Sequence, residues 1–226
     1  MRMTITRHSP RLAGISLLAT LAAASPAYAH HPLGGMPMET FAHGVLSGIG
    51  HPVLGFDHLF FVALVGVAAI YSGRALIAPL GYVAGMLAGC ALMMAGVAMP
   101  IAEIVIGASL LVLGYVVLSG RALSFETALL TFAGFGLFHG SAFGESIVGQ
   151  EGGASAAVVT GYLLGLAAVQ YAIAIAAGFV VEKVLKAVTA QAVEARLAGA
   201  VVAGIGLFLS LENAEGVVFD LLGWAT

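Results

Sequence analysis

Charge is scarce in this chain. Asp, Glu, Lys and Arg make up 8% of its 226 residues against 61% hydrophobic, and the mean hydropathy is +1.07. No water-facing surface of a soluble domain can be built from that mixture, so the chain reads as a membrane protein with the lipid bilayer as its surroundings. Cysteine is almost absent: Cys90 stands alone inside an apolar run, which excludes an internal disulfide. The chain has no Gly-x-x-x-x-Gly-Lys-Ser/Thr loop, no Cys-x-x-Cys and no His-Glu-x-x-His. ATP-driven pumping by this subunit and the commonest zinc protease chemistry are thereby disfavoured, and no ATPase subunit is in view. A formal net charge of −3 gives no case for nucleic acid.

What is plentiful is glycine. Thirty-one glycines run through the apolar segments, a distribution that suits membrane helices packed through small residues and would weaken soluble ones. Residues 1–29 read as a cleavable signal peptide: Arg2, Arg7 and Arg11 are basic, Leu12 to Ala24 is apolar, and Ala27-Tyr28-Ala29 is a small-x-small cleavage site. An uncleaved first helix is the alternative, but that core is shorter than the ~20 residues a span needs. The mature domain, 30–226, would begin at His30. From His30 to Gly50, Pro32, Gly34, Gly35, Pro37 and Gly44 argue against a long regular element, with at most a short helix over Met38 to Leu46, outside the membrane or at its surface.

Six apolar segments follow, near 57–72, 76–97, 100–119, 125–143, 156–181 and 197–217. The fold class expected is therefore all-α, a single polytopic domain of six transmembrane helices. Cytoplasmic loops carry an excess of Lys and Arg. With the mature N-terminus outside, the loops after spans one, three and five hold Arg74, Arg121, Lys183, Lys186 and Arg196, which are all the basic residues beyond the signal. Both mature termini are then periplasmic, in a bacterial inner membrane. Gly81-Tyr82-Val83-Ala84-Gly85 in span two is echoed by Gly161-Tyr162-Leu163-Leu164-Gly165 in span five, which allows two inverted three-helix halves.

Asp57, His58, Glu103, His139, Glu145, Glu212 and Glu215 all fall at the outer ends of spans in this scheme. They are either ordinary interfacial residues or the lining of an acidic, imidazole-rich vestibule. A charge at the bilayer centre costs roughly 2.5 kcal/mol or more, so ionisable groups among apolar neighbours mark cavities and ion paths. Asp57, His58 and His139 have such neighbours. Imidazole and carboxylate together suit a divalent transition metal, and His51, Asp57 and His58 supply both. Pro52 and Gly55 interrupt a helix over 51–58, so a turn near Asp57 folds His51 back towards His58; Asp57 can also cap span one. In the second cluster, Gly136, Gly140 and Gly144 make a smooth stripe for a neighbouring helix. His139 and Glu145 point roughly 240° apart on a regular helix, so both reach one ion only if the helix breaks at Gly140 or Gly144. His30, His31 and His43 are candidates for metal capture; His8 leaves with the signal.

The pattern His51-Pro-x-x-Gly-x-Asp57-His58, joined to Phe138-His139-Gly-x-Ala-x-Gly-x-Glu145, resembles the HupE/UreJ family of bacterial nickel and cobalt permeases. The resemblance takes in the signal, the six spans and both motifs. It implies uptake of Ni²⁺ or Co²⁺ as substrate, with Zn²⁺ a further possibility, no prosthetic group, and no enzymatic activity. The chain departs from that pattern at Phe143, where relatives often carry His, and at Val62, where they often carry Met; both losses leave the metal open. The metal-ligand set expected is His51, Asp57, His58, His139 and Glu145. Two other readings stay open: an intramembrane zinc hydrolase assisted by Ser141 or Glu145, and a metal-holding accessory protein that transports nothing.

Overall fold

A computed structural model describes residues 37–149 and 153–223. The signal peptide, the cleavage site, His30 and His31 lie outside the described residues. Among those described, the chain is helical and contains no strand. The helices are α1 Phe41–Leu54, α2 Phe56–Ile70, α3 Ala78–Met94, α4 Ala102–Leu118, α5 Phe125–Val148, α6 Ala156–Phe179 and α7 Val193–Leu222, with a π-turn Val180–Val184 extending α6. Ser124 and Ser155 cap α5 and α6 by accepting from the amides of Thr127 and Val158.

The first crossing differs from the expectation. Residues 41–54 form a full helix, and α1 and α2 meet at an 83° bend over Gly55. Alone, the 15 residues of α2 reach only about 22 Å of a core about 30 Å thick, and a pair bent this sharply has the form of a broken span or of a re-entrant loop. Pro52 removes an amide donor in the last turn of α1, and Gly55 then takes an extended conformation (φ −81°, ψ 98°). The segment preceding Gly50 belongs to the bundle: Gly44 and Gly48 lie against the backbone of Val158 and Tyr162 on α6, while Phe41, Leu46 and Ile49 are exposed on the other face. Small residues on the inner face and large apolar ones outside are what a lipid-facing helix requires.

Among the described residues, two helices are long and apolar enough by themselves to cross a membrane, Ala156–Val184 and Val193–Phe219; α3 and α4 are apolar with 17 residues each. The close pairs are α3 with α5, α1 with α6, and α4 with α7, and α2 leans on α6 and α4. Glycine registers give their directions. Gly81, Gly85 and Gly89 meet Leu129, Ala133 and Leu137 in ascending order, so α3 and α5 run parallel. Gly161 and Gly165 meet Phe41 and Val45, so α1 and α6 also run parallel. Gly107 and Gly114 meet Ser210 and Ala203, so α4 and α7 are antiparallel. Exchanging α1 with α5 and α3 with α6 maps the first two pairs onto each other, which is the relation expected between two repeated halves. The Gly-Tyr echo falls on α3 and α6, at equivalent places in it.

The loops that carry the basic residues are tied to one another. Tyr71 donates to the Ala187 carbonyl at 2.7 Å, Gln191 to Gly120 at 2.9 Å, and Arg196 to Leu118 at 2.9 Å. The turns after α2, α4 and α6 therefore share one end of the bundle. Arg196 satisfies a free carbonyl at the C-terminus of α4, where a cation is favoured.

Candidate metal centre

At the opposite end lies a cleft of about 510 Å³ lined by His51, Asp57, His58, Glu103, Ala142, Glu145 and Ser146. Its polar lining contrasts with that of another cavity of about 510 Å³, walled by apolar side chains of α2, α6 and α7. The Gly55 break makes the cleft. It turns α2 so that His51, in the last turn of α1, and His58, in the first turn of α2, bring their rings to 6.1 Å. A side chain at position 55 would intrude, since its Cβ would stand 3.0 Å from His58 Cδ2 and 3.3 Å from Asp57 Oδ1. Asp57 sits in the first turn of α2, where the helix dipole favours an anion, with Oδ2 3.7 Å from His58 Nε2.

His58 and His139, one from each motif, meet in the core. Their Nδ1 atoms are 2.8 Å apart, a hydrogen bond between imidazoles from α2 and α5. His139 is wholly buried, stacked on Phe61 at 4.5 Å and hydrogen-bonded through Nε2 to Ser109 Oγ at 3.0 Å. Ser109 Oγ donates in turn to the Ile106 carbonyl at 2.6 Å. His51 is also anchored: Nδ1 is 3.1 Å from Tyr162 Oη and 3.2 Å from Ser146 Oγ, and the Tyr162 hydroxyl donates to the Phe143 carbonyl at 3.0 Å. The Phe143 ring fills the space between the two cleft imidazoles, 5.0 Å from His51 and 4.3 Å from His58.

Glu145 takes a different route from the one envisaged. α5 continues unbroken through Gly140 and Gly144 to Val148, because the glycine stripe is used to approach α3: Gly136 faces Tyr82 and Met86, Gly140 faces Met86, and Gly144 faces Met93 and Cys90. His139 and Glu145 therefore diverge, His139 into the core and Glu145 onto the exposed wall of the cleft. Among the described residues, no three His, Cys, Asp or Glu side chains already stand together as a metal-binding group. His43 lies elsewhere; its Nδ1 accepts from the Glu39 amide at 3.2 Å beside the Thr40 cap of α1. Ser141 is buried and accepts from the Met99 amide at 3.1 Å, tying down the loop between α3 and α4 rather than lining the cleft.

Sequence reasoning passed over Ser109 and Gln170. Gln170 is buried in α6, accepts from the Tyr82 hydroxyl at 2.6 Å, and its Nε2 has no partner among the described residues. The signal available was a hydroxyl and an amide in mid-span positions otherwise occupied by apolar residues, where polar side chains need a partner. Glu103, noted only as part of the vestibule, lines the cleft from the first turn of α4.

Helices built from apolar faces and glycine contacts, around a polar cleft that ends on a buried imidazole pair, define a membrane protein with an internal polar site. The family model described as HupE / UreJ protein matches residues 18–209. The chain belongs to the HupE/UreJ family, membrane proteins associated with nickel and cobalt transport. No curated protein and no solved structure matches it.

Proposed function

We propose that this protein is a permease of six crossings that carries Ni²⁺ or Co²⁺ inward from the periplasm through the cleft between α1, α2, α4 and α5. The observation that carries the reading is the lining of that cleft, two imidazoles and three carboxylates at one end of a bundle whose basic loops gather at the other. Carboxylates from Asp57, Glu103 and Glu145 raise the local cation concentration at the mouth, and His51 and His58 supply nitrogen donors preferred by nickel and cobalt. His139 is the innermost group of the site. The directions of the paired helices support the alternation of crossings, and the gathering of Arg74, Arg121, Lys183, Lys186 and Arg196 supports a cytoplasmic face there. Inward movement of a cation is favoured by about 2.3 kcal/mol per charge per 100 mV of membrane potential. Ser141 is engaged in holding the α3–α4 loop, accepting from the Met99 amide, so a hydrolase reading draws no support from it.

The test is uptake of radiolabelled nickel and cobalt into cells expressing the wild type, His58→Ala or Asp57→Asn. The wild type should accumulate metal and both variants should fall to the background of cells lacking the protein. Metal binding by purified protein with no wild-type accumulation would replace the permease by a metal-holding accessory protein.

A further inference from the structure

Two hydrogen-bonded chains enter the cleft from behind, and each ends on a backbone carbonyl. A carbonyl can only accept, which sets the direction of donation along a chain of neutral groups. In the first, the single hydroxyl proton of Ser109 goes to the Ile106 carbonyl, so Ser109 Oγ must accept from His139 Nε2–H. A neutral His139 that carries its proton on Nε2 has a lone pair on Nδ1. The 2.8 Å contact is then closed by a proton on His58 Nδ1, and the lone pair of a neutral His58 is on Nε2. In the second, the Tyr162 hydroxyl proton goes to the Phe143 carbonyl, so Tyr162 Oη is an acceptor; a proton on His51 Nδ1 serves both that oxygen and Ser146 Oγ, 3.2 Å away, and leaves the lone pair of a neutral His51 on Nε2.

We infer that Ser109–His139 and Tyr162 are positioning groups that lock His58 and His51 in the Nδ1–H tautomer, so that both offer Nε2 to a divalent cation held with Asp57. His139 acts through His58 rather than on the ion, which revises its place in the ligand set expected from sequence. This rests on the metal-site reading above and specifies which atoms bind. The geometry agrees: His58 Nε2 is the nitrogen turned to Asp57, and their 3.7 Å separation can be spanned by two metal–ligand bonds of about 2.1 Å. A metal-bound imidazole ordinarily donates its other N–H to a fixed acceptor, and here the acceptors are His139 Nδ1 and Tyr162 Oη. The repeated Gly-Tyr motif thereby gains a use in α6: Gly161 lets α1 approach, and Tyr162 holds the histidine that α1 delivers.

The experiment is nitrogen-15 NMR of the purified full chain labelled on histidine, with assignments from single histidine substitutions and Zn²⁺ as a diamagnetic probe. Without metal, His51 and His58 should show protonated Nδ1 and His139 protonated Nε2. On adding Zn²⁺, Nε2 of His51 and His58 should shift to metal-bound values while His139 keeps its Nε2 proton. Ser109→Ala and the isosteric Tyr162→Phe should each weaken Zn²⁺ binding by about 10- to 100-fold, with Ser109→Thr restoring it. The opposite tautomer on His51 or His58, a Zn²⁺ bond to His139, or wild-type affinity in both Ser109→Ala and Tyr162→Phe would overturn the inference. The wild-type spectra decide the tautomers even if a variant misfolds. Correct tautomers and Zn²⁺ binding without cellular uptake would leave the inference standing and defeat the permease instead.

Discussion

Two glycines on α5, only two positions apart, should respond oppositely to the same substitution. A Cβ on Gly136 would lie 2.6 Å from the Tyr82 carbonyl oxygen and 2.9 Å from the Met86 amide nitrogen, whereas ordinary contact begins at 3.4 Å. The shortfall is 3.4 − 2.6 = 0.8 Å, and because the neighbours are backbone no rotamer change relieves it. Gly136→Ala must push α3 from α5, and overpacking of that kind costs about 1–3 kcal/mol. Gly134 has nothing within 4 Å of its would-be Cβ, so Gly134→Ala removes only the entropic weakness of a helical glycine and gains about 0.5–1 kcal/mol. Thermal unfolding of the two purified variants in the same detergent should place them on opposite sides of the wild type. Nickel uptake should fall with Gly136→Ala, since Tyr82 also packs against His139 at 5.8 Å between ring centres. Equal melting temperatures for the pair would refute the assignment of this stripe to close helix contact.

Phe143→His would set a third imidazole between His51 and His58, and titration with Ni²⁺ should show at least tenfold tighter binding, about 1.4 kcal/mol. Replacing Asp57 by Asn keeps the shape and removes the charge, so Ni²⁺ affinity should drop at least tenfold, whereas His43→Ala should leave affinity and uptake unchanged because His43 serves the start of α1. Thr189→Cys, in the exposed turn between α6 and α7, should react with an impermeant thiol reagent only from the cytoplasmic side, against a silent background because Cys90 is buried; labelling in intact cells would reverse the orientation.

The parts of the fold written by composition could be read directly. Apolar runs with interspersed glycine identify membrane helices whatever their partners, because every helix in lipid satisfies its own backbone and needs only an apolar exterior. Gly136, Gly140 and Gly144 were legible as a contact stripe for the same reason. The chain was misread before Pro52 and Gly55, where Pro37 and Gly44 argue against a long helix, and not at those two residues, where local rules predict interruption. They do interrupt, but α1 before the break is held as a helix by its contact with α6, more than a hundred residues away.

From residue types alone, the chain determined its membrane class, its family motifs and the need of its buried imidazoles for a polar partner, whereas the direct contact of His58 with His139 came from the fold. Only the tertiary structure decided which nitrogen each ring presents, that Glu145 parts from His139, and that Ser109, Tyr162 and Phe143 stand around the site. Those outcomes depend on hydroxyls and carbonyls brought from α4, α5 and α6 to within hydrogen-bond reach. Local spacing along a helix carries no information about how close another helix will come, or in what register.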